Sequence, residues 1–208
     1  DAVDIFLDID GKTYRMADVS YPDAVKMMRA FVKKRKVPDC SLCVEVAYLD
    51  INQMRSTFTE LATLLLGDAK QAKSFMSKAK LHSMEELEDS WWNLYEKLLS
   101  TGRAVELSLK IELEDFLYNV QKLIHNKNLS TDENLTGDVS IDTSAFDDSQ
   151  CIGDWCAHFN STWKNHKLVG MDIGTDSLVL MVLSNEEFKR AQELAKELLH
   201  RIDVAERL

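Results

Sequence analysis

The sequence predicts an α+β fold: a mixed or antiparallel sheet with β-hairpins at both ends of the chain and helices packed against it. Three observations carry that reading. Val3, Ile5, Leu7 and Ile9 alternate with Asp4, Phe6 and Asp8, then Asp10-Gly11 supplies the positive φ that a two-residue turn demands before residues 12–16 return. Near the other end, two strand-like runs, 168–173 and 178–183, flank Gly174-Thr175-Asp176. The second of these is apolar at every position, whereas a strand wetted on one face would alternate, so it is expected in the centre of its sheet. Between the hairpins, apolar residues recur at helical spacing behind Ser and Asp caps.

The elements follow in order. Ser20, Pro22 and Asp23 mark a helix start, because proline in the first turn forfeits only an N–H that has no intrahelical partner. Val25, Met28, Phe31 and Val32 form the stripe this helix is expected to bury, and Lys33-Lys34-Arg35-Lys36 suits the negative end of its dipole. Residues 42–48 alternate as a third strand. Met54, Phe58, Leu61 and Leu65 share a helical face that Gly67 ends, and residues 68–80 form another helix. Ser83 and Glu86 make a capping box before Leu87, Trp91, Leu94, Tyr95 and Leu98. Trp92 must leave that stripe, so it covers a second surface or lies exposed as an anchor for a partner. Val105, Leu107, Leu109, Ile111 and Leu113 alternate as a half-buried strand, and Phe116, Leu117, Val120, Leu123 and Ile124 fit a helix. Residues 126–150 are polar and aperiodic, and read as a long loop within a single domain spanning 1–208. Ser184 and Glu187 form a further capping box ahead of the last helix. The first and last hairpins echo one another as strand, turn, strand and capped helix, a recurrence read as coincidence.

Thirty-five acidic against 25 basic residues give a formal net charge of −10. That surface repels phosphate backbones, so nucleic acid is not expected as a partner. No run reaches the roughly 18 apolar residues of a spanning helix, so no membrane association is expected. Four cysteines in 208 residues are too few for a disulfide scaffold, which points to the cytoplasm.

Two stretches suggest chemistry. Residues 5–13, with Asp8 and Asp10 in an Asp-x-Asp-Gly sequence after an apolar strand, resemble the first motif of haloacid-dehalogenase-type phosphatases. That resemblance implies Asp8 as nucleophile, Asp10 as general acid and a Mg²⁺ ion. Residues 12–16 look like a return strand, so the alternating β and α units of that family are missing and the hairpin reading is preferred. Cys40 and Cys43 stand in C-x-x-C spacing, and Cys151 and Cys156 could complete a zinc site, with His158 and His166 as spare ligands. Their surroundings lack the Gly and Pro knuckles of such sites, and buried free cysteines are common. No cofactor is therefore expected.

The helix ending Leu64-Leu65-Leu66-Gly67-Asp68, the stretch 106–110 and the stretch 169–177 together resemble an uncharacterised bacterial family, a domain of unknown function, over about residues 58–202. The resemblance implies no catalytic residue. The chain is expected to be a non-enzymatic binding protein whose acidic surface docks a protein with a basic surface, as an immunity-type inhibitor of a basic toxin would. Trp92, Asp172 and Asp176 are its expected contact residues.

Overall fold

The computed structural model describes residues 2–9, 12–38, 43–46, 51–127, 129, 139 and 141–208. The chain divides into two compact units, residues 1–50 and 51–208.

In the first unit, β1 (Ala2–Ile9) pairs antiparallel with β2 (Lys12–Ser20), with Ile9 opposite Lys12, as the Asp-Gly turn signal requires. A third strand, β3 (Val44–Val46), pairs antiparallel with β2, so the order is β1-β2-β3. Helix α1 (Tyr21–Lys34) starts where Ser20 Oγ accepts the Asp23 N–H at 3.3 Å, with Pro22 in its first turn. The small core comprises Met16, Val19 and Ala24, with Val3, Ile5, Met27 and Cys43 packed around it. The expected buried stripe of α1 is displaced: Ala24 and Met27 face the sheet, and Met28, Phe31 and Val32 are exposed. The sheet covers only one flank of the helix's broad apolar arc.

The second unit carries α2 (Ile51–Leu66), α3 (Ala69–Met76) and α4 (Met84–Ser100), then β4 (Val105–Ser108) and α5 (Leu113–Asn126). It continues through α6 (Ile152–Thr162), β5 (His166–Met171), β6 (Ser177–Ser184), α7 (Asn185–Glu197) and β7 (Ile202–Val204). All pairings in its sheet are antiparallel, in the order β4-β6-β5-β7. Strand β6 is central, and its six residues between Leu178 and Leu183 are all buried, as the unbroken apolar run predicts. Leu178, Leu180 and Val182 pack with Phe116, Val120, Phe159 and Trp163 from α5, α6 and the residue after α6. Val179, Met181 and Leu183, on the opposite face, are buried too, and α7 packs along β6, β5 and α2.

Several local signals hold. Gly67 ends α2 at φ +61°, donating its N–H to Thr63, and any Cβ there would press on the Arg103 guanidinium. The Ser184–Glu187 box is complete in both directions. At α4, Ser83 Oγ accepts from Glu86 N, but Glu86 Oε2 reaches back to the N–H of His82, one residue earlier than the box predicts. Strand β4 stops at Ser108, and Leu109 is exposed, so the alternation through Leu113 overstates it. The polar segment 126–150 falls partly outside the described residues. Within them, Val139 is buried and Phe146 packs on Phe159, with ring centroids 4.9 Å apart, so these two residues are tied to the core. No described helix is long and apolar enough to cross a membrane.

Candidate functional site

Helix α4 turns two adjacent tryptophans in different directions. Trp91 is buried, and its indole N–H donates to the Asp172 carbonyl at 2.8 Å, which fixes the β5–β6 turn beside the helix. Trp92 is 42% exposed and stands edge-on to Tyr95, with centroids 5.1 Å apart. Tyr95 donates to Glu106 Oε2 at 2.7 Å, and burial with that carboxylate beside it pushes the phenol up to about 12. Tyr95 therefore stays a protonated donor at neutral pH and holds the ring that supports Trp92.

Around Trp92 the helix is acidic. Glu85, Glu88, Asp89 and Glu96 are exposed, and they stand seven, four and three residues before it and four after. Those offsets place all of them on the helical face that carries Trp92. An exposed indole ringed by carboxylates suits a cation: the ring face attracts it by its quadrupole and the carboxylates by charge.

Behind this face lies His200. Its ring stacks on Trp91 with centroids 4.0 Å apart and planes 10° from parallel, and its side chain is only 10% exposed. Nε2 is buried without a hydrogen-bond partner, the Glu88 carboxylate standing 3.7 Å off. Burial lowers the His200 pKa from its ordinary value, while Glu88 and Asp172 pull it up; desolvation prevails because Glu88 is itself largely in water. The preceding residue, Leu199, takes a left-handed φ of +62°, where glycine is the usual occupant. It closes α7 with its own N–H on Lys196 O and the His200 N–H on Ala195 O. This strained cap sets His200 against Trp91.

Of the residues expected at a binding site, Trp92 lies on α4, and Asp172 and Asp176 lie exposed in the β5–β6 turn. Asp172 uses Oδ1 to hold the Gly174 N–H at 2.9 Å, so part of its role is to shape the turn. Contact between the turn and α4 runs through Trp91, which the sequence reading assigned to the core stripe alone. His200 was missed as well, since residues 88, 91, 172 and 200 share no sequence spacing. Asp8 lies in β1 opposite Thr13, and Asp10 is outside the described residues. The strand that carries Asp8 returns directly as β2, in keeping with the hairpin reading.

Cys40 lies outside the described residues, and Cys43 is half-buried in the first unit. In the second unit, Cys151 is exposed with its thiol on Asp154 Oδ2 at 3.2 Å, and Cys156 is buried. Burial pushes the Cys156 thiol up to about 12, away from the thiolate a metal ligand supplies. Among the described residues no three His, Cys, Asp or Glu side chains gather closely enough to hold a metal ion.

The chain matches the family described as "Domain of unknown function (DUF6630)" over residues 54–205 and belongs to it. The match falls within the second unit and brackets the stretch 58–202 expected from the sequence. No curated protein and no solved structure matches the chain.

Proposed function

We propose that this member of the family is a non-enzymatic protein-binding domain, and that α4 presents its docking face to a partner with a basic surface. The observation that carries the reading is Trp92, part-exposed at the centre of Glu85, Glu88, Asp89 and Glu96. Residues 51–208 contain 26 acidic and 17 basic residues, a net charge of −9, so a long-range field favours the same class of partner. Carboxylates on the rim speed and orient the encounter, and a Lys or Arg laid over the indole adds about 0.5–2 kcal/mol of cation–π attraction. A basic toxin bound by this chain as its immunity protein is one case of that chemistry. Asp172 and Asp176 extend the acidic surface at the neighbouring turn.

The test is a titration of the isotope-labelled protein with an arginine-rich peptide, following the indole N–H resonances by NMR. The Trp92 signal is expected to move first, with weaker binding at high salt. Trp92→Ala, or joint Glu85→Gln, Glu88→Gln, Asp89→Asn and Glu96→Gln, should each weaken binding about tenfold or more. Shifts scattered over the whole surface, or binding indifferent to both variants, would overturn the reading.

A further inference from the structure

Helix α1 mirrors α4 with the opposite sign. It leaves Tyr21, Met28, Phe31 and Val32 exposed, Met28 at 65% and Val32 at 75%. Its exposed cations are Lys26, Arg29, Lys33 and Lys34, with Arg35 and Lys36 following, against the lone acid Asp23. At about 100° per residue, Tyr21, Met28 and Val32 lie within roughly 40° of one another around the helix. Lys26, Arg29 and Lys33 form the adjoining row. The result is an apolar strip with a basic border, where α4 has an aromatic residue with an acidic border.

The charged rows overlap in extent. Lys26 to Lys33 advance seven positions, about 10 Å along a helix, and fit within Glu85 to Glu96, which advance eleven, about 16 Å. Charge is therefore complementary between two surfaces that every copy of the chain carries, and each surface has an exposed apolar or aromatic residue beside its charges. We infer that α1 of one copy docks on the α4 face of a second copy. Met28 and Val32 meet Trp92, and the row of Lys26, Arg29 and Lys33 meets Glu85, Glu88, Asp89 and Glu96. This rests on the reading of α4 as a docking face and names its basic partner. The two surfaces differ, so the contact is heterologous: it closes into a ring or extends into an open chain, according to the rotation between copies.

Sedimentation velocity over a concentration series tests it with the full chain. Mass should rise with concentration at low salt and fall back toward the monomer at high salt. Joint Lys26→Glu, Arg29→Glu and Lys33→Glu should weaken association about tenfold or more, as should joint Glu85→Lys, Glu88→Lys and Asp89→Lys. All six positions are exposed, and circular dichroism verifies that each variant folds. The decisive step is an equimolar mixture of the two reversed chains, in which matching signs return and association should recover. A chain that stays monomeric at every concentration overturns the inference, as does association that survives both reversals. If that monomer still binds the arginine-rich peptide through Trp92, the proposed function stands and only the self-contact falls. Binding of α1 to phosphatidylserine vesicles without self-association would also overturn it, giving the basic helix to a lipid surface.

Discussion

The chain uses one local arrangement twice, with opposite results. β1, β2 and α1 form an antiparallel hairpin running into a helix capped by Ser20; β5, β6 and α7 do the same with Ser184. Both serines accept the N–H of an acidic residue three positions on, Asp23 and Glu187. Yet α7 buries Ala191, Leu194 and Ala195, whereas α1 buries Ala24 and shows Tyr21, Met28, Phe31 and Val32 to solvent. Turn chemistry and caps decide that a hairpin and helix form. What covers them is decided by layers supplied from elsewhere: α5 and α6 close one face of β6, and α7 closes the other. Among its described residues the first unit has one helix for three strands.

The largest effect should separate the two hairpins. Leu180→Ala, at a fully buried site of β6, should cost about 2–5 kcal/mol in urea unfolding, whereas Phe6→Ala in β1 should stay within about 0.5 kcal/mol. Equal costs would break the comparison.

The caps come next. Lys127 donates to Val182 O at 2.8 Å and pairs with Glu187, so it ties α5 to the end of β6 and the start of α7. Burial lowers the Lys127 pKa; it also opposes ionisation of Glu187, but Lys127 and the Ser184 N–H outweigh it there and hold that carboxyl below its ordinary value. Lys127→Met should cost about 1–3 kcal/mol by stranding half-buried acceptors, against about 1 kcal/mol for Ser20→Ala at the simpler cap. Chemical denaturation of both variants checks the order.

His200 should give the second unit a pH dependence. Its folded pKa lies below the ordinary 6.5, so as pH falls the unfolded chain takes up the proton first. This contribution to stability is fully present above 6.5 and is lost as pH drops below it toward the folded value. His200→Phe keeps a ring on Trp91 and should flatten that part of the curve. An unchanged pH profile would assign the dependence to other groups.

The smallest effect is expected at Leu199. Replacement by Gly relieves the left-handed φ but adds freedom to the unfolded chain, for a net gain of about 0.5–1 kcal/mol, read as a higher melting temperature.

Both hairpins, the central position of β6 and the caps of α1, α4 and α7 were legible because each rests on residues adjacent in the chain. The end of β4 was not. Alternation continues to Leu113, but Ser108 pairs with Ser177, the first residue of β6, and no partner extends beyond it. The buried face of α1 was illegible for a related reason: its apolar arc is wider than its sheet, and periodicity cannot say which flank is covered. Trp92 was recognised because two adjacent tryptophans cannot share a stripe. The acidic residues around it were in plain view, but their common face with Trp92 follows only once the helix is drawn out. The stack of Trp91 on His200 spans more than a hundred residues and left no trace in spacing.

The strand order also sets a sequence of events in time. β5 and β6 are joined by a turn of five residues, 172–176, so their pairing closes a short loop and can form quickly. β4 must instead find β6 across a long separation, Val105 opposite Leu180. Such distant closure is entropically slow, so β4 is expected to join after the β5–β6 hairpin has formed. During synthesis the helices α2 to α5 emerge with no sheet to cover, and their apolar faces wait on a strand not yet made. The second unit is thus organised from its later-made half, and a nascent chain halted before β6 would be the form most in need of a chaperone.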